Sequence, residues 1–202
     1  ITLVNRNSRT FYSGMLPGLI SGKYTANETS IDLRRLSEQA GVAFVMAEII
    51  GLDTLENRLV LFNRPPINFN QISLDLGSEV ALDKTILQGR NVSSVVPIKP
   101  LESALSFIAK QDCLYKGDDS SVFTIVGAGM TGVEISLALR QRWPKRPLLL
   151  QAYSGQPGLR LRRALASLGI EVMSSEEAIK GPALFCTGSQ APKWLKKSGL
   201  PV

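Results

Sequence analysis

The chain reads as an α/β protein built on a parallel sheet, and three observations say so. Val122–Val126 is an apolar run of strand length that stops at a cluster of glycines. Met130–Arg142 follows with apolar residues Val133, Leu137 and Leu139 and stops before Pro144, as a helix does. Further short apolar runs at Leu148–Ala152, Ile170–Met173 and Ala183–Ser189 surround a second helical stretch, Leu159–Leu168, closed by Gly169. Strand, helix, strand in alternation is the rhythm of a parallel sheet covered by helices.

The glycines between the first strand and its helix fall at Gly127, Gly129 and Gly132, the G-x-G-x-x-G spacing. Each position has a physical job. Gly127 allows a turn that a side chain would obstruct, Gly129 lets backbone N–H groups approach a pyrophosphate, and Gly132 lets the helix lie close on the strand. The helix start then offers free N–H donors and a positive dipole end to phosphates. The reading is a Rossmann-like dinucleotide-binding unit, with a glycine turn in some other α/β sheet as the alternative. An acidic residue on the next strand usually holds the ribose; here Gln151 stands about 20 residues after Gly132. Glutamine can hydrogen-bond a ribose and brings no charge to repel a 2′-phosphate, so NAD versus NADP is left open.

Upstream, Ile1–Val4 reads as a short strand ending at Asn5-Arg6, and Asn7–Thr10 as a polar loop. Phe11–Gly22 holds three glycines and a proline among apolar residues, which suits a packed loop or broken helix. Thr29–Asp32 resembles a capping box for a helix through Leu33 and Leu36 to Gly41. Val42–Ile50 and Arg58–Phe62 read as strands around a polar turn at Asp53–Asn57, and Ile72–Ser78 as another strand with Gly77 at its end. Glu79–Val96 reads as an irregular crossover, and Pro100 suits the first turn of a helix bearing Leu101, Leu105 and Ile108. Lys110–Ser121 is polar, with a domain boundary near Gly117–Ser120. Strand ends in Gly-Ser occur twice, at Gly77-Ser78 and Gly188-Ser189.

Composition narrows the chemistry. The 202-residue chain has no histidine, which removes Ser-His-Asp and Cys-His catalysis and most zinc sites. Its two cysteines, Cys113 and Cys186, match no C-x-x-C pattern, so neither a disulfide framework nor a dithiol redox centre is expected. Catalysis here therefore needs a cofactor. The net charge of +6 favours anions such as nucleotides. No nucleic-acid motif accompanies it, and the clusters Arg160/Arg162/Arg163 and Lys193/Lys196/Lys197 read as solvated faces. No apolar run of about 18 residues marks a transmembrane helix. The Trp194-Leu195 pair leaves peripheral membrane contact open.

Several segments together resemble the two-dinucleotide flavoproteins of the pyridine nucleotide-disulfide oxidoreductase family. They are Tyr12–Gly18, Ile31–Leu33, Leu74–Ser78, Pro97–Pro100, Gly127–Glu134, Ala183–Ser189, Pro192–Leu195 and Ser198–Leu200. Within the family the chain is similar to the type II NADH dehydrogenase branch, and most of all to the NADH dehydrogenase-like module fused to selenide, water dikinase. The resemblance implies a parallel sheet with helices on one face and an antiparallel β-meander on the other, in two intertwined dinucleotide-binding units. It divides the chain into an incomplete FAD-binding unit (1–117), an NAD(P)-binding unit (118–190) and a return towards the first (191–202).

The resemblance also implies two cofactors, FAD and NAD(P)H. NAD(P)H would bind at Gly127, Gly129, Met130, Thr131 and Gly132, with Glu134 on the nicotinamide side, Gln151 at the ribose and Gly188 at the neighbouring strand end. FAD would bind against Asn5-Arg6, the Ala47-Glu48-Ile49 stretch and Gly77-Ser78, with Tyr12 near the flavin ring. No side chain is assigned a catalytic role, and no metal is expected. Hydride would pass from nicotinamide to flavin, and electrons on to a quinone-type or other small acceptor. The branch lacking a redox disulfide agrees with the cysteines.

Three departures stand against the family pattern: its first strand and flavin glycine turn are expected before Ile1, its C-terminal Gly-Asp segment after Val202, and a longer meander than Ser174–Pro182. Asn5 and Gln151 stand where acidic ribose ligands are usual. A second reading is a non-catalytic dinucleotide-binding or scaffold module attached to a selenide, water dikinase-like partner. A cytoplasmic location is expected, and a homodimer is left open.

Overall fold

The computed structural model describes residues 1–80, 94–115, 121–153 and 155–200. The chain divides into two compact units, one of Ile1–Ser13, Ala26–Ser78 and Ala191–Val202, the other of Gly14–Thr25 and Glu79–Gln190.

The first unit begins with β1 (Thr2–Asn5) and β2 (Arg9–Phe11). A 3-10 turn, Ser13–Met15, leads into the second unit's α1 (Leu16–Ser21), which Gly22 ends in the left-handed conformation. Phe11–Gly22 is thus the broken helix its composition suggests. The polar loop expected over Asn7–Thr10 is corrected: Arg9–Phe11 pairs antiparallel with β3 (Ser30–Asp32). That pairing also moves the helix cap. Thr29 is buried and its hydroxyl donates to the Ala26 carbonyl, while the Asp32 carboxylate accepts the Arg35 amide at 3.1 Å and caps α2 (Leu33–Gln39).

β4 (Ala43–Met46) runs parallel to β1. The single strand expected over Val42–Ile50 is interrupted at Ala47-Glu48. β5 (Ile49–Asp53), β6 (Arg58–Leu61) and β7 (Ile67–Asn68) then form an antiparallel three-stranded meander. Ala47, Leu52, Leu59 and Leu61 make the unit's core, with Trp194 and Leu200 packed against them. Trp194-Leu195 is therefore engaged with its own unit, and the polar surface expected for this tail is carried by Lys193, Lys196 and Lys197, which are exposed. Ile72–Ser78, expected as a strand, forms no strand; just beyond it an isolated bridge joins Glu79 to Gln190, inside the second unit.

The second unit is a parallel sheet of five strands, β8 (Val95–Pro97), β9 (Phe123–Val126), β10 (Leu148–Gln151), β11 (Ile170–Met173) and β12 (Ala183–Phe185), lying in the order β11-β10-β9-β12-β8. β8 corrects the irregular reading at the end of its segment; residues 81–93 of that crossover, and the boundary near Gly117–Ser120, lie outside the described residues. α3 (Leu101–Leu114) starts after Pro100, as expected, but runs into the stretch read as polar as far as Leu114. α4 (Met130–Arg142) and α5 (Leu159–Ser167) complete it.

Strand alternation sorts the side chains into two layers. Phe123, Ile125, Leu148, Leu150 and Leu184 meet Leu16, Ile20, Phe107, Val133, Ile135, Leu139 and Leu165, so all four helices pack on one face. Val126, Ala183 and Phe185 point the other way, against Val95 and Ile179. β9, β10 and β12 are buried along their whole length, as central parallel strands must be.

A polar clasp braces the helix layer. Asp112 on α3 accepts from Arg142 Nε at 2.9 Å and from the Trp143 indole at 2.7 Å, while Arg142 Nη1 donates to the Ile20 carbonyl of α1 at 2.8 Å. Burial pushes the Asp112 carboxyl up, but the bonds from Arg142 and Trp143 and the nearby positive charges outweigh it and hold it below its ordinary range. Arg146 is buried beside them, stacked on Trp143 at 4.6 Å and on Tyr115 and Phe123. Among the described residues no helix is long and apolar enough to cross a membrane.

Candidate dinucleotide site

The connection from β9 goes through α4 to β10 on one side, while β12 lies on the other. That makes the C-terminal end of β9 the point where strand order reverses, the place in an open α/β sheet where neighbouring loops diverge and leave a crevice. The three glycines sit there, and the structure separates their roles. Gly127 has φ +109°, and a Cβ on it would lie 2.7 Å from the Cys186 carbonyl oxygen. A Cβ on Gly132 would lie 1.7 Å from the Gly127 oxygen, so only glycine lets α4 start this close to β9. A Cβ on Gly129 would meet nothing within 4 Å. Two glycines therefore build the turn, and the third leaves its surface open.

That open surface is the floor of a cleft of about 310 Å³. The turn supplies Gly127, Ala128 and Gly129; the segment after β10 supplies Tyr153, Gly155 and Gln156; the end of β12 supplies Cys186, Thr187 and Gly188. The volume is at the lower end of ligand sites, enough for a diphosphate with an adjoining sugar. The first α4 amide bonded within the helix is that of Val133, to the Gly129 carbonyl at 3.1 Å. The amides of Met130, Thr131 and Gly132 precede it, without intrahelical acceptors and at the positive end of the helix dipole. A backbone floor with such donors fits an anionic diphosphate.

The cleft walls are chemically quiet. Burial pushes the Cys186 thiol up to about 12, so it is protonated and unreactive at neutral pH. No group of His, Cys, Asp and Glu suited to a metal occurs among the described residues. Gly188 lines the cleft as expected, and Met130, Thr131 and Glu134 are exposed on the first turns of α4. Gln151 is placed differently. Its side chain is buried and donates to the Ser174 carbonyl at 3.2 Å and the Glu177 carbonyl at 2.6 Å, so it points into the turn after β11. Only its backbone joins the site, its carbonyl accepting from Gly127 N–H at 2.8 Å. Tyr153, Gln156 and Thr187 were not singled out by sequence reasoning; the signal available was their position just past strand ends.

The first unit gathers another group of expected residues. Asn5 ends β1, and Ala47–Ile49 follows its parallel partner β4. Arg6 and Glu48 form an ion pair at 3.0 Å, and the Asn5 amide donates to the Asn7 carbonyl at 2.7 Å. Tyr12 is exposed, its amide bonded to the Thr29 carbonyl. Gly77 is exposed and Ser78 half-buried in the segment that follows Ile72.

Comparison with solved structures agrees with this architecture. Reduced CoADR-RHD from Bacillus anthracis matches all of the chain with a TM-score of 0.79 at 16% identity, covering 42% of its own chain. NADH:rubredoxin oxidoreductase from Clostridium acetobutylicum matches all of it with a TM-score of 0.72 at 14% identity, over 55% of its own length. The water-forming NADH oxidase of Lactobacillus brevis, bound to NADH, matches 99% of the chain with a TM-score of 0.72 at 15% identity, over 50% of its own. The chain thus spans about half the length of the solved structures it matches. Scans of protein-family models and of curated proteins found no match. The shared fold is a Rossmann-like α/β architecture with a parallel sheet.

Proposed function

We propose that the chain is the dinucleotide-handling part of an FAD-dependent NAD(P)H oxidoreductase, NADH dehydrogenase-like in its reaction, with a quinone-type or other small molecule as electron acceptor. The observation that carries this reading is the open backbone floor at Gly129, set at the strand-order reversal and facing a cleft. An NADH:rubredoxin oxidoreductase and a water-forming NADH oxidase of the same fold support it.

When bound, the two cofactors supply hydride transfer from nicotinamide to flavin and electron delivery beyond it. The chain's own residues bind and orient. The first α4 amides take the diphosphate, and the rigid turn of Gly127 and Gly132 holds them still, so little ordering is required on binding. Tyr153 and Thr187 wall the cleft, and the protonated Cys186 thiol offers no competing nucleophile. In the first unit, Asn5, Arg6 and Glu48 are the residues offered to the adenosine part of FAD, with Ile49, Gly77, Ser78 and Tyr12 as further contacts. A cytoplasmic setting and self-association belong to the same proposal.

The test uses the protein that carries this chain. Purified protein should show a flavin spectrum that bleaches on addition of NAD(P)H and recovers with a quinone. A colourless protein that leaves NAD(P)H untouched would defeat the reading. Dinucleotide binding without turnover on any dye or quinone would instead favour the scaffold module fused to a selenide, water dikinase-like partner.

A further inference from the structure

Resting on the dinucleotide reading above, we propose that the cleft selects a 2′-phosphorylated dinucleotide, NADP(H), over NAD(H), and that Arg162 is the selecting residue. The argument begins with what the cleft lacks. A ribose diol is commonly held by a carboxylate at the end of the second strand, and that carboxylate repels a 2′-phosphate. Here the strand ends in Gln151, which is neutral and spends its amide on the Ser174 and Glu177 carbonyls. The described residues lining the cleft include no Asp or Glu. Glu177, in the loop after β11, turns its carboxylate onto the Ser174 amide at 3.0 Å and onto the Ser174 hydroxyl.

A cation stands beside the cleft, one hydrogen bond from its lining. Gln156 lines the cleft, and its side-chain oxygen accepts from Arg162 Nη1 at 2.8 Å. The guanidinium is exposed and carries five N–H donors, of which this bond uses one. Its planar fork matches the oxygens of a phosphate, so it can hold the group bidentately beside Gln156. α5 also carries Arg160 and Arg163 and no acidic residue, so nothing on the helix neutralises this charge. The cluster that reads in the sequence as a solvated face therefore reaches the rim of the cleft through one residue. A 2′-phosphate would gain a charge-assisted pair there, and a 2′-hydroxyl would not.

The experiment is calorimetric titration of the chain with NADP⁺, NAD⁺, adenosine 2′,5′-bisphosphate and 5′-AMP, which needs neither flavin nor turnover. NADP⁺ and the bisphosphate should bind about tenfold or more tighter than NAD⁺ and 5′-AMP, as one charge-assisted contact provides. Arg162→Gln should weaken NADP⁺ about tenfold while NAD⁺ stays within about twofold, and Arg162→Lys should restore part of the loss. NAD⁺ binding as tightly as NADP⁺, or Arg162→Gln weakening both alike, overturns the selectivity and leaves the dinucleotide reading standing. If neither dinucleotide binds, that reading falls and this inference falls with it.

Discussion

The end of β9 and the end of β1 both close a parallel strand, and they are built by opposite means. β9 is buried along its length, is paired on both sides, and ends in backbone that packs too closely for a side chain at Gly127 or Gly132. Among the described residues β1 pairs only with β4 in a two-stranded sheet, has no fully buried residue, and ends in side chains: Asn5, Arg6 and, across from them, Glu48. Recognition by rigid backbone is sterically strict, because an added methyl has nowhere to go. Recognition by exposed side chains is forgiving, because water competes for each contact and the groups can move. The comparison predicts which substitutions hurt, and in which currency.

Gly132→Ala presses hardest on it. With a Cβ 1.7 Å from a backbone oxygen, α4 must shift, and a loss of about 3 kcal/mol or more in chemical denaturation is expected. A variant as stable as the parent would break the claim that this turn is sterically locked. Next come the cores. Ile125→Ala, in the fully buried sheet, should cost about 3–5 kcal/mol, and Leu59→Ala, in the smaller core of the first unit, about 2–3 kcal/mol. Equal losses would show that the two units are packed alike.

Asp112→Asn sharpens the comparison from the helix layer. Its carboxyl is held below its ordinary 3.8 by Arg142 and Trp143, so the stabilisation is complete above about pH 4 and is lost as pH falls further. Allowing for partial exposure, the variant should lose about 1–2 kcal/mol at neutral pH, a gap that closes as pH falls through the lowered folded-state value. A gap independent of pH would mean that the charge is not what matters. Gly129→Ala separates site from scaffold. Melting temperature should hold within about 2 °C, while dinucleotide affinity drops about tenfold through loss of close approach. Smallest is Arg6→Ala, where an ion pair with largely exposed side chains should cost about 0–1 kcal/mol in denaturation. A larger loss would mean that the β1 end is stiffer than its exposure implies.

Much of the second unit was legible before folding. The bounds of α4 and β11, and the strand–turn–helix around Gly127, follow from apolar spacing, the glycines and Pro144. The cap of α2 was misread because Thr29 and Asp32 both suit an N-cap, and only the pairing of Ser30–Asp32 with Arg9–Phe11 chooses between them. Val95–Pro97 looked irregular because nothing in three residues announces a strand; its partner, Ala183–Phe185, lies far along the chain. The site was half legible. Its floor is contiguous sequence and Gly188 was named with it, whereas the walls Tyr153, Gln156 and Thr187 come from other strand ends.

The sequence by itself determined the glycine turn, its helix and the parallel-strand character, since local sterics, helical spacing and runs of apolar residues act between near neighbours. Tertiary structure alone decided that Gln151 turns away to the Glu177 carbonyl, that Arg142 reaches Ile20, and which residues wall the cleft. Those outcomes depend on which distant backbone oxygen a buried donor finds, and a buried donor must find one.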